Sequence, residues 1–130
     1  MKTLSKLLLA AFMLLFMASC SNNTAATVDP SISQGNWRIS HFWDNTDETS
    51  DFAGYTFNFN DGGQVTATNG TTTKTGTWSE TATKFNIDFG VDPLFEELND
   101  DWAKEERTAT SIKLKEDNPA QDDKLQFVKL

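Results

Sequence analysis

The chain has 130 residues, with 19 acidic side chains against 11 basic ones and a net charge of −8. That length holds one small domain, and the acidic balance argues against nucleic-acid backbones and anionic membrane surfaces as partners. The one cysteine, Cys20, excludes an internal disulfide framework, and the one histidine, His41, excludes a histidine-based zinc centre.

The chain opens with two lysines, Lys2 and Lys6, followed by an uncharged apolar run of 11 residues from Leu7 to Met17. A membrane-spanning helix needs about 20 such residues. The run instead has the length of a signal-peptide core, and small residues follow it. Ala18-Ser19-Cys20 resembles the lipobox of bacterial lipoproteins. The resemblance implies a diacylglycerol on the Cys20 thiol, cleavage after Ser19 and acylation of the new amino terminus. Two or three acyl chains anchor firmly, since each buried methylene contributes about 0.8 kcal/mol. Ser21-Asn22-Asn23 supplies neither an aspartate after the cysteine nor a run of acids. The expected location is therefore the cell envelope, at the outer membrane. Residues 1–19 are read as signal peptide and 20–34 as a lipid-anchored flexible tether, reaching roughly 20 Å as a random coil. Without the two signal lysines the remaining chain carries 9 bases against 19 acids, a charge of −10.

From Gly35 to Leu130 the pattern is alternation with period two, broken by glycine, asparagine and proline, which predicts strands. The first runs from Asn36 to Trp43 and places Trp37, Ile39, His41 and Trp43 on its inner face. In the second, Tyr55, Phe57 and Phe59 alternate with Thr56, Asn58 and Asn60, and Asp61-Gly62-Gly63 supplies the turn. Gln64 to Thr68 points Val65 and Ala67 inward, and Asn69-Gly70 is a second hairpin signal. A fourth strand ends in Gly76-Thr77-Trp78, and a fifth buries Phe85, Ile87 and Phe89. The period then changes. Asp92 fits an N-cap, Pro93 a first helical position, and Leu94, Phe95 and Leu98 share a face, so a short helix is predicted from Pro93 to about Asn99. Three more strands follow: Asp101 to Thr108, one holding Ile112 and Leu114, and one holding Leu125, Phe127 and Leu130. Eight short strands in a meander fit a closed barrel, which removes exposed edges. Periodicity alone leaves a two-sheet sandwich open.

Gly35-Asn36-Trp37 at the first strand resembles the Gly-x-Trp of lipocalins. Tyr55-Thr56-Phe57-Asn58-Phe59-Asn60-Asp61-Gly62 and Gly76-Thr77-Trp78-Ser79 resemble elements of the small lipocalin-like domains on bacterial lipoproteins. The resemblance implies an up-and-down β-barrel, and with the elements read above the expected fold is all-β, an eight-stranded antiparallel up-and-down barrel with one short helix between the fifth and sixth strands. It further implies a possible ligand cavity. The domain is shorter than a full lipocalin and shows no helical period at its C-terminal end.

Catalytic motifs are missing from the sequence. No serine sits in Gly-x-Ser-x-Gly, and the adjacent acids Glu96/Glu97 and Glu105/Glu106 read as solvated surface. No enzyme activity, cofactor or metal site is expected, and Asp44-Asn45-Thr46-Asp47 lacks the spacing and central glycine of a calcium loop. In an up-and-down meander, one set of connections falls at the end away from the tether. Those segments carry 13 of the 19 acids: Asp44, Asp47, Glu48 and Asp51; Asp92, Glu96, Glu97, Asp100 and Asp101; Glu116, Asp117, Asp122 and Asp123. The same end holds the candidate ligand-binding residues His41, Trp43, Phe52 and Tyr55. Eight strands leave room for packed side chains or one small ligand, and the many aromatics predict a filled interior with a shallow pocket at the mouth. Two functions follow. One is a non-catalytic binding module for a small apolar ligand at that mouth. The other is a structural or protein-interaction lipoprotein whose acidic loops meet a cationic protein partner.

Overall fold

Alternating side chains and tight turns produce nine strands: β1 (Trp37–Asp44), β2 (Thr46–Asp47), β3 (Thr56–Phe59), β4 (Gln64–Thr68), β5 (Thr73–Glu80), β6 (Lys84–Asp88), β7 (Asp100–Arg107), β8 (Ser111–Lys115) and β9 (Lys124–Lys129). The computed structural model describes residues 31–130, so the expected signal peptide, residues 1–19, and the expected lipidation at Cys20 lie outside the described residues. Each strand pairs antiparallel with the next around the sheet, and β9 returns to β1 over Trp37↔Lys129 to Trp43↔Lys124. The result is the predicted eight-stranded up-and-down barrel, with the two-residue β2 folded back on the end of β1. The sandwich is excluded by the β1–β9 closure.

Two glycines are fixed by geometry. Gly63 has φ +84° in the β3–β4 turn, where its carbonyl accepts from Trp78 N–H. Gly76 lies where β5 crosses close to the end of β6, and a Cβ there would stand 2.4 Å from the Asp88 carbonyl oxygen.

The interior is filled by an aromatic ladder. At the end away from residue 31, Phe42, Phe52 and Phe95 meet edge to face at 5.5 and 5.7 Å. Phe95 leads through Phe57 to Phe127, and Phe127 to Phe59 at 5.4 Å. Phe59 then contacts Trp78 and Phe85, each at 5.6 Å, and reaches Trp37 at 6.5 Å. Edge-to-face pairs of this kind add stability beyond their buried area. Val65, Ala67, Ile112, Leu114 and Leu125 fill the space between rings.

Several sequence expectations change. A β-bulge lies between Ile39 and His41 on β1. The extra residue reverses the inward set, so Phe42 is buried while His41 and Trp43 are half-exposed on the outer face. The predicted helix is a single 3-10 turn, Phe95–Leu98. Its N-cap is Leu94, not the expected Asp92, although Asp92 Oδ1 accepts from Leu94 N–H and Phe95 N–H just ahead of the turn, both at 3.0 Å. A second 3-10 turn, Thr49–Phe52, sits in the β1–β3 connection. Finally, the folded domain begins before Gly35. Ile32 is 1% exposed, and its carbonyl accepts from Trp37 Nε1–H at 3.0 Å. Leu130 lies beyond β9 and is 67% exposed.

The end nearer residue 31 is closed by an ion group. The alternation that turns Trp78 and Trp102 inward continues to Glu80 on β5 and Lys104 on β7. Lys104 Nζ lies 2.8 Å from Glu80 Oε2, Arg107 Nε lies 3.3 Å from the same oxygen, and the Lys104 and Arg107 side chains are only 9% and 6% exposed. Breaking a desolvated pair from one side costs more than the pair contributes, because the remaining charge stays buried. Glu80→Ala is expected to lose about 3 kcal/mol in urea unfolding. A loss below ~0.5 kcal/mol would mean that water screens the group as at an open surface.

Candidate functional site on the barrel wall

The barrel is closed at every seam but loosely at one. β1 and β3 share a single register pair, Trp37↔Phe57. Above it the strands part, and the chain from Thr49 to Tyr55 fills the gap differently. Thr49 Oγ1 accepts from Phe42 N–H at 2.9 Å, Glu48 N–H donates to the Phe42 carbonyl, and Tyr55 N–H turns back to the Phe52 carbonyl. This leaves a groove of about 770 Å³ on the barrel wall. Ile39, Phe52 and Tyr55 provide apolar lining, and Thr49, Ser50 and Thr56 provide hydroxyls. Arg38 and Asp47 line it as well, and the exposed Leu130 borders it.

Two of the four candidate ligand residues meet here, Phe52 and Tyr55, joined through Phe95, whose ring lies 5.0 Å from that of Tyr55. His41 and Trp43 do not line the groove. The bulge sends them to the outer face, where Trp43 pairs across with Asp47. Sequence reasoning missed Arg38 and the Thr49–Ser50 hydroxyls. Arg38 read only as an outward strand position, and the groove depends on a seam that no local pattern marks.

The acid-rich end forms as the topology required. Burial and the nearby Glu48, Asp44 and Asp51 raise the Glu97 carboxyl, and burial with Asp44, Glu116 and Asp122 raises Asp123. Burial, then a hydrogen bond with Glu116, pushes Asp100 up to about 6, while the same bond lowers Glu116. At the 3-10 turn the trend reverses. The Lys74 ammonium, 2.7 Å away, and the Phe95 and Leu94 amides hold Asp92 well below the usual carboxylate range. Among the described residues no group of acids and histidine is arranged to hold a metal. Asp100 gives a pH prediction. Its folded pKa lies above the ordinary 3.8, so its contribution to stability is full below that value and is lost as pH rises through about 6. Asp100→Asn should therefore raise the melting temperature at pH 7, and the gain should vanish by about pH 4. An equal gain at both pH values would contradict this.

Fold and site together define a closed eight-stranded antiparallel barrel with a packed interior and a groove on its wall. No family model matches the chain, and no curated protein matches it. Among solved structures it is similar to a DUF4847 family protein from Bacteroides vulgatus ATCC 8482, at a TM-score of 0.56 and 16% identity. The match covers 78% of this chain and 96% of that one. At that identity the likeness speaks for the barrel fold alone.

Proposed function

We propose that the chain is a lipid-anchored, non-catalytic binding module of the cell envelope, held at the outer membrane through Cys20, whose small ligand lies in the wall groove. The observation that carries this reading is the groove of about 770 Å³ beside an interior already full of side chains. Its size is that of small-molecule sites, roughly 300–1,000 Å³, and its apolar lining with a few hydroxyls resembles their make-up. The ligand-binding residues on this reading are Phe52 and Tyr55, with Ile39 beneath and Arg38 at the side. The lipobox-like Ala18-Ser19-Cys20 supports the anchor, and acylated mass on the amino-terminal peptide, absent in Cys20→Ser, is the expected result.

Native mass spectrometry of the full chain extracted from its own envelope tests the binding reading. A small molecule should co-purify and should be lost from Ala53→Trp, which fills the groove from an exposed position. The acidic end favours the second reading, a protein-interaction lipoprotein. A co-purifying protein released by Glu48→Gln with Asp51→Asn, and no small molecule, would put that reading first.

A further inference from the structure

The groove has a polar backbone wall as well as an apolar floor. In an antiparallel sheet each residue aims its N–H and C=O at the same neighbour, and successive residues alternate. On β1 the Asn36 carbonyl accepts from Leu130 N–H on the β9 side, and Trp37 faces β3. Ile39, two positions further, must then present its N–H and C=O to the β3 side. The ladder has already ended there, and Tyr55, the residue that would pair with it, gives its N–H to the Phe52 carbonyl. Ile39 is thus an open rung of a sheet edge, inside the groove it lines. Such a rung is a template for another strand.

The groove also has charges of opposite sign at its two ends. Arg38 lies at the lower end, and its guanidinium has no ion pair or hydrogen bond among the described residues. Asp47 lies at the upper end, across from Trp43. Its Oδ1 accepts from Thr49 Oγ1–H at 2.6 Å and Thr49 N–H at 3.0 Å, which lowers its pKa and keeps it ionised. From Arg38 to Trp43, with the bulge discounted, a strand rising ~3.4 Å per residue covers the length of about four residues.

Open rung, apolar floor and end charges have one joint complement. We infer that the groove takes a short extended peptide with free ends, added as a strand alongside β1 at Ile39, its ammonium at Asp47 and its carboxylate at Arg38. The peptide runs antiparallel to β1, continuing upward the line that β3 abandons at Thr56, and rests alternate side chains on Phe52 and Tyr55. This rests on the groove being the binding site and adds the class of its ligand.

The full chain in detergent micelles, offered a randomised pool of uncapped tetrapeptides, should retain a subset identifiable by mass spectrometry. For a retained peptide, calorimetry should show amidation of its carboxylate and Arg38→Ala each weakening binding roughly tenfold, and not further together. Acetylation of its amine and Asp47→Asn, which keeps the oxygen that accepts from Thr49, should form a second such cycle. N-methylation of its central amides should abolish binding. Retained peptides that tolerate N-methylation, or whose two effects multiply in both cycles, would overturn the inference. Dodecanoate is the comparison probe. Dodecanoate binding that Ala53→Trp abolishes, with no peptide retained, overturns the peptide and leaves the groove as a site. If neither probe binds and nothing co-purifies from the envelope, the groove reading falls as well.

Discussion

Phe59→Ala is expected to cost about 4 kcal/mol, close to the whole stability of many domains of this size. Phe59 is fully buried and its ring meets Trp37, Trp78, Phe85 and Phe127, which come from four different strands. No single neighbour can swing into the space, because each is itself held by a second partner. Trp78 stacks on Phe85 at 5.7 Å, and its Nε1–H donates to the Asn60 carbonyl at 2.9 Å. Urea unfolding should give the loss directly. A loss below ~1.5 kcal/mol would mean the ladder relaxes around the hole, unlike a close-packed core.

The second large effect tests the bulge. Phe42→Ala should cost about 3–4 kcal/mol, while His41→Ala and Trp43→Ala should each stay within ~1 kcal/mol. Phe42 is 1% exposed and closes the upper end of the core against Phe52, whereas its two neighbours stand on the outer face. Unbroken alternation from Trp37 would demand the reverse order. A series in which His41→Ala or Trp43→Ala is the costly change would contradict the observed register.

The contrast at β1 shows what could be read from the chain and what could not. Strands β3, β4, β6, β8 and β9 alternate between buried apolar residues and more exposed, mostly polar ones. Their inward sets, such as Phe57 and Phe59 or Leu125 and Phe127, were legible without coordinates. The meander followed from turns short enough to force neighbouring strands together, and the acidic end followed from the meander, whereas its closure rests on the β1–β9 pairing, which periodicity does not decide. On β1 the stretch Ile39-Ser40-His41-Phe42-Trp43 offers an apolar or aromatic side chain in either register beyond Ser40. A one-residue bulge then leaves no mark in the pattern.

The two 3-10 turns differ in the same way. Asp92 and the spacing of Leu94, Phe95 and Leu98 announced the second turn, although they described one turn as readily as a longer helix. Only Phe52 is buried in the first, too little for any period. Ile32 looked like part of a polar tether because its partner, Trp37, meets it through the Ile32 carbonyl as well as through packing. The groove itself was half legible. Phe52 and Tyr55 were marked as aromatics near one mouth. The seam that makes a groove of their surroundings depends on β1 and β3 parting after one register pair.

With the interior occupied, the proposed ligand has to bind outside the ring of strands, and the loosely paired seam is where the wall leaves room. Amide spectra of the isotope-labelled full chain, recorded with and without the small molecule recovered from its own envelope, test this most directly. The predicted changes centre on Ile39 and on Ser50 to Thr56, with the interior residues Phe59, Leu125 and Phe127 unmoved. Changes centred on those interior residues, or on the acidic loops while Ile39 and Tyr55 stay still, would contradict a filled barrel that binds at its wall.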